Sequence, residues 1–121
     1  MNDQEMLRVI DFIQQTRAPL RELMPLSDDE PMWNLITFLM KNEILGQPVN
    51  VGSLVQITGV PYTTSRRLVT RLISEGHIVR APRKQGGKTY VLHPSKELAA
   101  SFAKYAAEIK SLIARTRGGR F

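Results

Sequence analysis

The chain has no cysteine among its 121 residues. That excludes a disulfide framework, a thiolate zinc site and a cysteine redox sensor, and it accords with a reducing cytosol. Long apolar runs are also missing. No stretch approaches the roughly 18 consecutive apolar residues of a membrane span. The opening MNDQEMLRVIDFIQQ has neither the basic start nor the apolar run of a signal peptide. The expectation is a soluble, cytoplasmic protein.

Metal ligands and catalytic acids are scarce too. There are two histidines, His77 and His93, each at the end of a predicted strand, and with no cysteine they make no recognisable metal constellation. The acids lie mostly in the first half, where Asp28-Asp29-Glu30 is explained as a helix start. No set of acids, bases and nucleophiles converges in the way a hydrolase needs. Gly86-Gly87 lacks both the spacing of a phosphate loop and the helix that should follow it. An enzyme is not expected, nor is a cofactor or a metal. Aromatics make up 7% of the chain, and Trp33 is the only tryptophan. It reads as a core or interface aromatic rather than a pocket wall.

What is present is a core and a sharply divided charge. Apolar residues make up 42%, enough for a packed interior, and the length suits one domain. Net charge is +6, but residues 1–50 carry four basic and eight acidic side chains, while residues 51–121 carry thirteen basic and three acidic. The halves are therefore −4 and +10. The basic half should attract a polyanion, with nucleic acid the default. An anionic membrane surface fits less well, because the cations sit on a motif with turns, not on one long amphipathic helix.

In the first half, Met6, Ile10 and Ile13 repeat at helical spacing, with Leu7 and Val9 widening the stripe, which predicts a helix over Asp3–Gln15. Arg17 to Leu26 holds Pro19 and Pro25 and reads as a connector. Ser27 and Glu30 stand at capping-box spacing before a second helix to about Leu45. Its buried stripe is Met32, Leu35, Ile36, Leu39 and Met40, and Gly46 with Pro48 stops it.

The stretch from Asn50 to Leu92 carries the functional signal. Asn50 can cap a short helix, Val51 to about Thr58. Gly59 suits a left-handed turn, Val60 would pin that turn to the core, and Pro61 pre-sets the start of a second helix to about Glu75. That helix has two faces. Leu68, Val69, Leu72 and Ile73 fall together on one side, and Thr63, Arg67, Thr70 and Ser74 on the other, flanked by Arg66 and Arg71. A solvated face usually mixes charge signs. This one has three arginines, small hydroxyl residues between them, and no acid until Glu75. Small side chains let a backbone approach a groove, and guanidinium forks reach phosphates or guanine edges. Tyr62, Thr63, Thr64, Arg66, Arg67, Thr70 and Arg71 are therefore the candidate DNA contacts of a recognition helix.

After Gly76, His77–Ala81 and Thr89–Leu92 read as strands around a turn at Gly86-Gly87, with His93-Pro94 breaking the second. Arg83, Lys84 and Lys88 put charge at the hairpin tip. Beside a recognition helix, such a tip is a wing that grips phosphate or an adjacent minor groove; alone, it would be a charged edge that blocks aggregation. Ser95 can cap a last helix to about Thr116. Leu98, Phe102, Tyr105, Ile109 and Leu112 follow heptad spacing, which suits packing along a partner helix. With Met6, Ile10 and Ile13 they form the candidate dimer interface.

The segment TGVPYTTSRRLVTRLISEGHIVR resembles the helix-turn-helix of MarR-family transcriptional regulators. Val69-Thr70-Arg71-Leu72 and Gly76-His77-Ile78-Val79 match that family's V-x-R-L…G-[LHY]-[IV] pattern, and YVLHPSKEL is similar to its passage from wing to dimerisation helix. The turn Thr58-Gly59-Val60-Pro61 is also similar to IclR-type winged domains. The family's wing usually carries an Asp-x-Arg pair, and residues 83–88 here have no aspartate, so the residue that enters a minor groove stays open. The resemblance implies a homodimeric regulator, more often a repressor, on a pseudo-palindromic DNA operator, with a small aromatic or lipophilic effector in many members. Trp33, Phe38 and Tyr105 are candidates for such a ligand site, and each is also explained as core.

The expected fold is mainly α with a small β-hairpin: a winged helix-turn-helix over 27–93, flanked by an N-terminal dimerisation helix and connector (1–26), a C-terminal dimerisation helix (94–116) and a flexible basic tail (117–121). The expected function is sequence-specific binding of double-stranded DNA, with nucleoid association when bound. Two other readings stand beside it, a winged-helix module that binds protein and a nucleoid or plasmid-partition protein with the same DNA chemistry.

Overall fold

Most element boundaries in the computed structural model follow from local caps. Residues 1–27, 29–82 and 90–119 are described, with side chains to Thr116. Asn2 caps α1 (Asp3–Gln15), its side chain accepting from the Glu5 N–H at 2.8 Å. Thr16 alone separates α1 from α2 (Arg17–Leu23). The expected connector over 17–26 is thus largely helical. Pro19 lies in the first turn of α2, where the donor it lacks would have no intrahelical acceptor.

A 3₁₀ turn, Pro25–Ser27, follows. The cap of α3 (Glu30–Leu45) is Asp29, not Ser27. Asp29 is extended and accepts from the Met32 N–H at 2.9 Å. The helix begins too late for a box built on Ser27, which is buried in the 3₁₀ turn with no hydrogen-bond partner among the described residues. Pro31 sits in the first turn of α3, as expected. Met32, Leu35, Ile36, Leu39 and Met40 are all buried, and Gly46 closes the helix at φ 69°. That left-handed backbone favours glycine.

The chain divides into two compact units, one of Met1–Pro25 with the residues from Ala100 onward, the other of Leu26–Ala99. In the first, α1 has no buried residue; Met6, Ile10 and Ile13 are 45%, 41% and 51% exposed. On α6 (Lys96–Gly119), Leu112 is buried, and Phe102, Tyr105 and Ile109 are half-buried. The Phe102 and Tyr105 rings meet edge to face, 6.0 Å apart. Burial pushes the Tyr105 hydroxyl above its ordinary pKa. α6 continues to Gly119, so 117–119 are helical rather than a tail, and 120–121 lie outside the described residues. No described helix is long and apolar enough to cross a membrane.

The second unit is the winged helix-turn-helix. α4 (Val51–Ile57) opens on a reciprocal cap between Asn50 and Ser53. Gly59, at φ 77°, turns the chain into α5 (Tyr62–Ser74). Val69 and Leu72 bury one side of α5, with Leu54 and Val55 of α4 also in the core. Two buried hydroxyls lock the angle between the helices. Ser65 Oγ stands 2.7 Å from the Val55 carbonyl and 2.7 Å from Thr58 Oγ1, which is itself 3.2 Å from the same carbonyl. Each hydroxyl has one proton, so either can serve Val55 while the other donates within the pair.

β1 (Ile78–Pro82) and β2 (Tyr90–Pro94) pair antiparallel, with Arg80 opposite Leu92 and Ile78 opposite Pro94. His93-Pro94 does not break β2; it ends it. The Leu92 N–H points away from β1 and donates to the Val49 carbonyl at 2.8 Å. Two residues on, Pro94 faces the same edge, where β1 asks it for no donor. Ser95 then carries the ladder on, its N–H donating to the His77 carbonyl at 2.9 Å, while its hydroxyl caps α6 by accepting from Leu98 N–H at 3.0 Å.

The shared acceptor predicts a non-additive pair. Ser65→Ala should cost about 1 kcal/mol, because Thr58 can still serve Val55. Thr58→Val with Ser65→Ala should cost more than the two singles summed, since only then is the buried carbonyl left without a hydroxyl. Urea unfolding of the four proteins measures this; strict additivity would show that the hydroxyls act independently.

Candidate nucleic-acid interface

α5 presents its polar side as one continuous surface. Because Ser65, Val69 and Leu72 are inside, residues roughly half a turn away must face out. Tyr62, Thr63, Arg66, Arg67, Thr70, Arg71 and Ser74 line a single shallow trough. Thr64 is exposed but does not line it. The sequence-predicted helix residues are thus brought together save one. Pro61 supplies no side-chain cap, so the first turn of α5 keeps free backbone N–H groups at the positive end of the helix dipole.

The arginines differ in their surroundings. Among the described residues, Arg66 and Arg67 make no ion pair. Arg71 Nε donates to Glu75 Oε1 at 3.1 Å, and the other Glu75 oxygen lies 3.5 Å from His77 Nε2. The single acid at the end of α5 therefore occupies one guanidinium and leaves two unengaged. Two open cations and a row of hydroxyls suit a polyanion with hydrogen-bonding edges, such as a nucleic-acid groove.

Arg83, Lys84 and Lys88, the expected wing contacts, lie outside the described residues. The hairpin base adds a feature the sequence reading missed: the Arg80 guanidinium stacks over the Tyr90 ring, 5.5 Å from its centroid. Strand alternation puts both on one face and was the available signal. Ser65 was also missed, although its spacing, four residues before Val69 and seven before Leu72, puts it on the apolar side of α5 and was the available signal. His93 Nδ1 meets Glu43 Oε2 at 2.7 Å, joining β2 to α3. Among the described residues, no three His, Asp or Glu side chains gather to hold a metal ion. Trp33 and Phe38 are half-buried along α3.

No family model matches the chain, and no curated protein does. Solved structures do. RV1404 from Mycobacterium tuberculosis superposes with a TM-score of 0.74 at 16% identity, over 98% of this chain and 78% of that one. The transcriptional regulator Tm0710 from Thermotoga maritima gives 0.65 at 23% identity, over 96% and 78%. MepR, a transcription regulator of the Staphylococcus aureus multidrug efflux pump MepA, gives 0.65 at 8% identity, over 100% and 86%. At these identities what is shared is the fold. The resemblance carried by Val69–Leu72 and Gly76–Val79 therefore holds at that level: the chain folds as a winged-helix regulator does.

The Arg71–Glu75 contact yields a prediction. Glu75→Gln removes the one acid that pairs with a trough arginine among the described residues and should tighten binding to duplex DNA by up to about fivefold, the range of an exposed ion pair. Fluorescence anisotropy measures it; weaker binding would mean that Glu75 helps by orienting Arg71.

Proposed function

We propose that the chain is a transcriptional regulator that binds double-stranded DNA in a sequence-specific manner as a homodimer, and that it acts as a repressor. One observation carries the reading: the exposed face of α5, where Arg66 and Arg67, beside Thr63 and Thr70, make no ion pair among the described residues. In this reading α5 enters the major groove, Tyr62 and Thr64 touch the backbone at its start, and Arg83, Lys84 and Lys88 grip phosphate from the wing. The transcription regulators that share the fold support it. A protein-binding winged helix would not need arginines at both Arg67 and Arg71 together with a basic wing tip.

The apolar row on α1 supports the homodimer. A free helix does not keep Met6, Ile10 and Ile13 in water without a cost on the order of 25 cal/mol per Å². A second copy would cover them, together with the half-buried Phe102, Tyr105 and Ile109. Leu98 and Leu112 are each 4% exposed within one chain and serve its own interior. Two copies would set their recognition helices about 34 Å apart, matching a pseudo-palindromic operator.

Selection of bound genomic fragments with the purified protein tests the function directly. A few strong sites with two-fold symmetry are expected, while broad coverage would indicate a nucleoid or partition protein. At a selected site Arg67→Ala should cost about 1–3 kcal/mol and relax preference at one base pair. Wild-type affinity should fall steeply with salt, and no binding to any duplex would end the DNA reading. Ile10→Glu should give a monomer in sedimentation and weaken operator binding by about 100-fold or more, through loss of bivalency. A wild-type chain that sediments as a monomer at operator-binding concentrations would exclude the dimer.

A further inference from the structure

The Arg80–Tyr90 stack has no role in the reading above. Arg80 is opposite Leu92 in the register, and Tyr90 lies two residues before Leu92, so the pair are diagonal neighbours on one face. That face also carries Ile78 and Leu92, which are buried. Arg80 and Tyr90 thus stand on the inner side of the hairpin but beyond its last core residue, and both are exposed. A ring on one side can engage only part of the guanidinium and leaves others of its five N–H groups free to donate. Among the described residues Arg80 makes no ion pair, and the sequence from Gly76 to Lys96 contains no acid. As a stabilising device the stack is weak, because water competes for both partners. What it does is bias one cation toward one side of the hairpin, beyond its last core residue.

We infer that Arg80 is a pre-positioned ligand for a backbone phosphate of duplex DNA beside the groove that α5 reads, and that Tyr90 is the residue that positions it. This rests on the DNA-binding reading and assigns it a contact outside the recognition helix. Holding the fork in place before binding reduces the side-chain entropy lost on contact.

The test uses the full chain and two duplexes, a selected site and an unrelated sequence, titrated by fluorescence anisotropy across a salt series. Arg80→Ala should weaken both complexes by a similar factor, about fivefold or more, and reduce the log–log salt slope by about 0.9, one phosphate's share. Tyr90→Phe keeps the ring and should match wild type. Tyr90→Leu should weaken binding toward the Arg80→Ala level and add nothing to it in the double variant. Both side chains are exposed, so the variants should keep wild-type circular dichroism and melting. Wild-type affinity and slope in Arg80→Ala, with Arg67→Ala impaired, overturn this inference alone. Loss confined to one base pair also overturns it, since that is base reading. If wild type binds neither duplex, the DNA-binding reading falls and takes the inference with it.

Discussion

The position of α5 depends on a small buried contact. Val55 lies in the last turn of α4, and Ser65 and Thr58 share its carbonyl. An unpaired buried hydroxyl costs more than a typical hydrogen bond returns, so the contact works chiefly by penalising angles that take Ser65 away from this acceptor. The exposed arginines of α5 follow from that angle. Were α5 to roll, Ser65 would leave its acceptor and Val69 and Leu72 would leave the core together. A surface on which several side chains act together needs such a scaffold, because their spacing must be held at once.

Electrostatics and packing are divided between different residues. The core of the second unit is almost entirely apolar, with α3 contributing Leu35, Ile36 and Leu39, all fully buried. The cations lie on surfaces that packing does not use. Among the described residues, Arg66 and Arg67 can therefore stay without ion pairs, and Arg80 can rest on a ring. An arginine already satisfied inside the protein would have to break that contact to meet a phosphate. Glu75 is the exception, and it engages only the last arginine of the helix.

Much of this was legible in the sequence because it rests on local rules. Asn50 before an apolar pattern, Gly59 at the turn and Gly76 after α5 each encode a backbone preference that needs no tertiary partner. The two faces of α5 came from spacing alone. Local rules misled where two solutions were available. Ser27 and Asp29 can both cap a helix, and the choice went to the residue whose side chain reaches the Met32 amide. Pro19 reads as a break, yet in a first turn it removes nothing, and α2 forms through it. Pro94 reads as a strand breaker, yet its nitrogen faces the edge away from β1.

By itself, the sequence determined the order of elements, the apolar stripe of α3 and the cationic face of α5, since periodicity and charge are properties of a chain read in order. Only the tertiary structure decided that Ser65 belongs to a buried hydroxyl pair, that Leu112 turns inward while Ile10 stays exposed, and that Arg80 finds Tyr90. Each of these depends on residues brought together across a turn or a strand pair. A one-dimensional pattern specifies which residues can be buried or paired, and contact geometry selects among them.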